Sequence, residues 1–105
     1  EGIMGEGQEV LIGRLGQAPL LAYTRSGVPV CKISLALDQK EGEKTIWKNV
    51  IVWGRLGESA KVLLKKGNHI FLEGIFKSSE YVDREGQRKV VEEFVASKVA
   101  LSLYQ

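Results

Sequence analysis

Sulfur and imidazole are almost missing from this chain, which has one Cys (Cys31), one His (His69) and one Met among its 105 residues. One Cys excludes a disulfide framework within the chain. One Cys and one His together exclude a Cys/His zinc site, which needs three or four such ligands. No apolar run approaches the roughly 18–20 residues of a membrane span, and no secretory or transit signature is visible. A reducing cytoplasm is therefore the expected compartment, and a lone thiol fits it. Phosphate-cradling loops are also missing, with no GxxxxGK[ST] and no GxGxxG. His69 stands at the start of an apolar strand without a Ser or Cys partner and reads as a structural or surface His. Cys31 lies on an apolar strand face and reads as core. Glu92 and Glu93 are neighbours, so a strand sends them to opposite faces and they cannot act as a pair. Catalysis finds no candidate groups, and no cofactor is implied.

The balance of the rest is ordinary for one globular domain: 44% hydrophobic, 27% charged, net charge +2. That charge is unevenly spread. Glu1–Glu9 holds three acids and no base, is rich in Gly, and reads as a flexible lead-in, with Met4 a candidate natural start. Setting those three acids aside leaves residues 10–105 at +5, as the single domain. Arg55–Asn68 carries Arg55, Lys61, Lys65 and Lys66 against Glu58 alone. Gly-Arg-Leu-Gly occurs at 13–16 and again at 54–57, but the flanks differ and no structural repeat follows.

Hydrophobic periodicity predicts mostly strands. Val10–Leu15 is a short apolar run closed by Gly16 and Pro19. From Cys31, period two puts Cys31, Ile33, Leu35 and Leu37 on one face and Lys32, Ser34, Ala36 and Asp38 on the other. Thr45–Trp53 is rich in β-branched and aromatic residues. The period then changes: Leu56, Ala60, Leu63 and Leu64 form one helical stripe, with Lys65-Lys66-Gly67 as cationic last turn and left-handed cap. Asn68–Phe76 is a further strand, Asp83–Gly86 a turn, and Lys89–Leu103 contains the last strand. Short strands around a single helix suggest an all-β, five-stranded Greek-key barrel of the OB type, with the helix between its third and fourth strands. A generic α+β sandwich fits the same composition.

Trp47 and Trp53 lie six apart, so they share a strand face with Asn49 and Ile51, while Ile46, Val50 and Val52 occupy the other. Either face can be the core on pattern alone. If the Ile46/Val50/Val52 face fills the barrel, the two Trp rings are left for solvent or a partner. Tyr81 sits in a polar arm, Lys77-Ser78-Ser79-Glu80-Tyr81, where an aromatic has no core to join. Lys44, Lys48, Arg55, Lys77, Arg84, Arg88 and Lys89 are near these rings in sequence. Rings for stacking and cations for phosphate are the constituents of a single-strand nucleic-acid groove.

At these residues the chain resembles the bacterial single-stranded DNA-binding proteins. The similarity runs through Val10-Leu11-Ile12-Gly13-Arg14-Leu15-Gly16-Gln17-Ala18-Pro19, Tyr23–Gly27, Ile33–Ala36 and Trp47–Leu56. It continues through Leu64–Gly67, Leu72–Gly74 and Tyr81–Gly86, covering nearly everything from Val10 to Leu103. The resemblance implies an OB-fold with a long hairpin between its fourth and fifth strands. It also implies assembly as a homotetramer, with a dimer the other possibility, and sequence-independent binding of single-stranded DNA in replication, recombination and repair. Its stacking aromatics fall on Trp47, Trp53 and Tyr81, and its basic positions on Arg55, Lys65, Lys66 and Lys77. Strand position adds Arg14 and Lys32, and the hairpin adds Arg84. Such proteins are cytoplasmic and nucleoid-associated, and usually continue into a linker and an acidic tip that recruits replication and repair proteins. Two segments and two single residues depart from the pattern. The loop Gln39–Lys44 lacks an aromatic, Ser79-Glu80 replaces hairpin cations, Asn49 replaces a common Arg, and Lys48 a common His. The missing loop aromatic and the reduced hairpin charge motivate a second reading, a primosome or interaction module whose aromatic face binds protein.

Overall fold

The computed structural model describes residues 7–105; the Met4 start lies outside them. Chain order is β1 (Glu9–Leu15), β2 (Leu20–Tyr23), β3 (Pro29–Leu37), β4 (Trp47–Trp53), α1 (Gly54–Leu63), β5 (His69–Val82) and β6 (Arg88–Leu101). The strands follow the spatial order β1-β5-β6-β4-β3-β2, and β1 also pairs with β3. That last pairing closes β1, β5, β6, β4 and β3 into the five-stranded barrel. β2 is a short addition hydrogen-bonded to the first half of β3. The β4–β6 junction is parallel, with Val50 opposite Phe94 and Ile51 opposite Val95; the other pairings are antiparallel.

Period two decides which side chains fill the interior. Leu11 and Leu15, Cys31, Ile33 and Leu35, Val50 and Val52, Ile70 and Leu72, and Phe94 and Ala96 converge as one buried cluster. The Val50/Val52 face of β4 is therefore the core face. Ile46, expected to join it, lies outside β4 and is exposed, because the strand begins at Trp47 rather than Thr45. β1 starts at Glu9, whose pairing with Gly74 ties the end of the expected lead-in to the sheet.

Helix α1 covers the open side of the barrel with Ala60 buried in the cluster and Leu56 packed against it. Two details of the expected helix are corrected. Leu63 is exposed rather than part of the buried stripe, because the helix ends there and Leu64 turns into extended conformation before burying its own side chain. Lys65 and Lys66 are consequently outside the helix, and Lys61 is the cation of its last turn. Gly67 does adopt a left-handed conformation (φ 86°), but as the third residue of a turn in which the Asn68 N–H donates to the Lys65 carbonyl. Glycine is the residue that adopts this conformation at no steric cost.

Beyond the barrel, β5 and β6 run on together as a two-stranded arm from Lys77/Glu93 to Val82/Arg88. The Asp83 carboxylate closes the arm by accepting from the Glu85 and Gln87 backbone N–H groups. The polar stretch Lys77–Val82 is thus the outgoing strand of the expected long hairpin. Its pairing with β6 satisfies its backbone, so it needs no buried face.

Candidate nucleic-acid interface

Register settles which side chains share the outer surface. Ser34 is opposite Asn49, Lys32 opposite Ile51, and Ala36 opposite Trp47. Across the parallel junction Ile51 faces Val95, which puts Glu93 beside Asn49 on the same side. On β5, Lys77 is opposite Glu93 and Tyr81 opposite Lys89. Odd-numbered residues of β4, of β5 and of β6 as far as Val95 therefore point outward together; past the irregularity at Glu73/Gly74 the outward set of β6 shifts to Lys98 and Ala100. One continuous surface carries Lys32, Trp47, Asn49, Trp53, Lys77 and Tyr81.

The three rings are about half exposed: Trp47 55%, Trp53 47% and Tyr81 51%. The two Trp side chains are separated by roughly 20 Å, six residues at ~3.3 Å each. Each is held by a different device. Trp47 lays its six-membered ring against Gly16, whose missing side chain leaves the seat. Trp53 is both the end of β4 and the residue preceding α1, in extended conformation (φ −89°, ψ 152°). The abrupt reversal into the helix leaves its ring at the surface. Tyr81 is carried on the outer face of the arm. A recess of about 260 Å³ between the β3 and β4 outer faces is lined in part by Gln17, Lys32, Ser34, Asn49 and Glu93.

The cations sort by partner. Lys48 pairs with Glu92 (3.6 Å), Arg88 with Glu80 (3.5 Å), Lys89 with Asp83 (3.9 Å) and Lys98 with Glu73 (3.9 Å). Lys32, Arg55, Lys65, Lys66, Lys77 and Arg84 have no carboxylate within ion-pair distance among the described residues, and all six are exposed. Lys65 and Lys66 stand in the turn whose Gly67 N–H donates to the Leu15 carbonyl, next to the Gly16 that seats Trp47. Arg55 is the second residue of α1, two after Trp53, on the helix surface shared with Glu58 and Val62. Arg84 is at the tip of the arm. Arg14 differs from these: its guanidinium donates to the Gly67 carbonyl (3.0 Å) and lies over the Tyr104 ring at 5.3 Å, so its charge is occupied by the fold.

The potentially reactive groups have structural surroundings. Cys31 is fully buried, and burial pushes its thiol up despite the opposing Lys61 charge, so the thiolate needed for nucleophilic attack is disfavoured. His69 Nε2 contacts the Asp38 carboxylate at 2.8 Å. Its ring packs edge-on to Phe71 and Tyr104, and the Gln105 side chain brackets its backbone N–H and carbonyl. No group of three or more His, Cys, Asp or Glu is placed to hold a metal among the described residues. Among the described residues no helix is long and apolar enough to cross a membrane. Sequence reasoning had not singled out Gln17, Ser34 or Glu93. The opposed faces of Glu92 and Glu93 were readable, but which of the two faced the rings required the β4–β6 register.

Comparison with known proteins gives the chain's relatives. Residues 8–102 match the Single-strand binding protein family. A Xanthomonas axonopodis pv. citri protein called "Single-stranded DNA-binding protein" is 31% identical over 92% of the chain and 58% of its own length. Its namesake from Xylella fastidiosa (strain Temecula1) is 34% identical over 92% of the chain and 63% of its own length. The one from Neisseria meningitidis serogroup A is 32% identical over 88% and 57%. The chain spans less than two thirds of the length of these three relatives.

Proposed function

The chain belongs to the single-strand binding protein family, and we propose that it binds single-stranded DNA largely without regard to sequence. Bases stack on Trp47, Trp53 and Tyr81, and phosphates meet the unpaired cations Lys32, Arg55, Lys65, Lys66, Lys77 and Arg84. The observation that carries this reading is the half-exposure of three rings on one strand surface, two of them seated by specific backbone devices. Exposed rings on a rigid sheet lose little entropy when a base stacks, and every base offers a π-face. The family's members bind rather than catalyse, and this surface offers stacking and charge rather than reacting groups. Protection of single strands during replication, recombination and repair in a cytoplasmic, nucleoid-associated setting is the corresponding role. An acidic tail, where the protein carries one, is the natural means of recruiting replication and repair proteins.

Oligo-dT titrated against the chain should quench Trp fluorescence, and affinity should fall as salt rises. Each phosphate neutralised contributes about −0.7 to the slope of log K against log salt for single strands. The six cations named here therefore correspond to a slope near −4 by the same rule. Binding that is absent, or indifferent to salt, would leave the surface to a protein partner instead.

Self-association belongs to the same reading. Val10, Ile12, Phe71 and Ala100 share the outer face of β1, β5 and β6 by register, and a shallow apolar groove is lined by Val10, Phe71 and Ala100 among others. Val10 and Phe71 are nearly half exposed. A second copy burying this face, and two such dimers forming a tetramer, accounts for that exposure. Sedimentation at micromolar concentration should show a dimer or tetramer, and a monomer there refutes the assembly.

A further inference from the structure

Between the two Trp rings the outer surface contains a carboxylate. Glu93 is half-buried in the recess of about 260 Å³ together with Asn49, Ser34, Lys32 and Gln17. Lys77 is its direct cross-strand neighbour, yet the two are not within ion-pair distance, and the paired cations of the described residues belong to other acids. A carboxylate here repels phosphate. The backbone of a bound strand is thereby driven to the cationic margins at Lys32, Lys77 and Lys65, and its bases turn toward the sheet.

Bases differ sharply in what they offer an acceptor of this kind. The Watson–Crick edge of thymine has one N–H between two carbonyls, which a carboxylate meets poorly. That of guanine has N1–H and N2–H side by side, two parallel donors that one carboxylate accepts together. Paired charge-assisted bonds of this sort are shorter and stronger than single neutral ones. The guanine O6 beside them then requires a donor, and the Asn49 amide lines the same recess. Single strands leave this edge free for reading.

We propose that the recess between Trp47 and Trp53 reads the Watson–Crick edge of one guanine, with Glu93 as the specificity-determining residue, so that general stacking is overlaid by a guanine preference. The inference rests on the single-strand-binding reading above. Three oligonucleotides of equal length separate the two: dT, d(TTG) repeats, and d(TTI) repeats. In the last, hypoxanthine keeps the purine ring for stacking but lacks the N2 amine.

The d(TTG) repeat should bind at least about fivefold more tightly than dT, the lower end for a bidentate base contact. The d(TTI) repeat should lose most of that advantage. In Glu93→Gln the guanine preference should disappear while affinity for dT stays the same or rises, since phosphate repulsion is removed. Glu93 makes no side-chain hydrogen bond or ion pair among the described residues, so the variant retains the fold, and its dT binding confirms this. Equal affinity for dT and d(TTG), a preference shared equally by d(TTI), or a guanine preference that survives Glu93→Gln each overturns the proposal while leaving single-strand binding intact. Failure to bind any of the three overturns the underlying reading and this inference with it.

Discussion

Replacing Trp47 with Ala should weaken oligo-dT binding by roughly 1–3 kcal/mol, and Trp53→Ala should do the same, as expected when each ring stacks one base. The effect is large for a surface position because the lost contact is with ligand rather than with the fold. Trp47 is 55% exposed and its neighbours on the outer face are polar or small, so its removal leaves no cavity in the core. Gly16→Ala provides a sharper version of the same experiment. A methyl group at Gly16 would overlap the six-membered ring of Trp47 and force it off its seat. Because the overlapped atoms are the outer end of a side chain rather than backbone, the ring moves and the barrel stays closed. Affinity should then fall toward that of Trp47→Ala although the Trp is still present, with thermal stability nearly unchanged. Fluorescence titration of both variants checks this. Full oligo-dT affinity in Trp47→Ala would mean that bases do not stack on this ring, and full affinity in Gly16→Ala would mean that its placement does not matter.

Phe94→Ala should be the most damaging single change to stability, costing about 3–5 kcal/mol as large-to-small core substitutions of aromatic residues do. Phe94 is fully buried, packs edge-on against Phe76 at 4.9 Å between ring centroids, and stands opposite Val50 at the parallel β4–β6 junction. That junction joins the two halves of the barrel by a short register of paired residues, so side-chain packing holds together what few backbone pairs do. Against a total of roughly 5–15 kcal/mol for a domain of this size, the loss is a large fraction. Urea denaturation should show a lower midpoint with an unchanged slope. A loss below about 1 kcal/mol would show that the junction is held by something other than this ring. Glu93 and Val95 flank Phe94 in β6, so disruption here also displaces the outer surface proposed to meet DNA.

The alternation from Cys31 to Leu37 was legible because period two is a local property: each side chain's face follows from its neighbours along the chain. The same is true of the β4 aromatics sharing one face, and of the turn at Asp83–Gly86. The stop of α1 at Leu63 was not legible, because Leu64 is recruited to the barrel core by tertiary packing that overrides the helical stripe. Periodicity alone likewise ended that strand at Phe76, because Lys77–Val82 gains its hydrogen bonds from β6, many residues away; the long hairpin was implied by the resemblance. Arg14 looked like the other cations of its kind in sequence. Its engagement with Gly67 and Tyr104 appears only when the ends of the chain are brought together.

By itself, the sequence determined that this is one strand-rich domain without an evident catalytic or zinc-binding constellation, with its basic surplus outside the first nine residues and two Trp on one strand face. Composition and short-range periodicity suffice for those statements, because they concern what residues are present and how neighbours alternate. Which face of β4 is core, which cations are left without partners, and which of two adjacent glutamates joins the rings were decided by tertiary structure alone. Each depends on pairing between strands distant in sequence, where a shift of one residue exchanges the inner and outer faces.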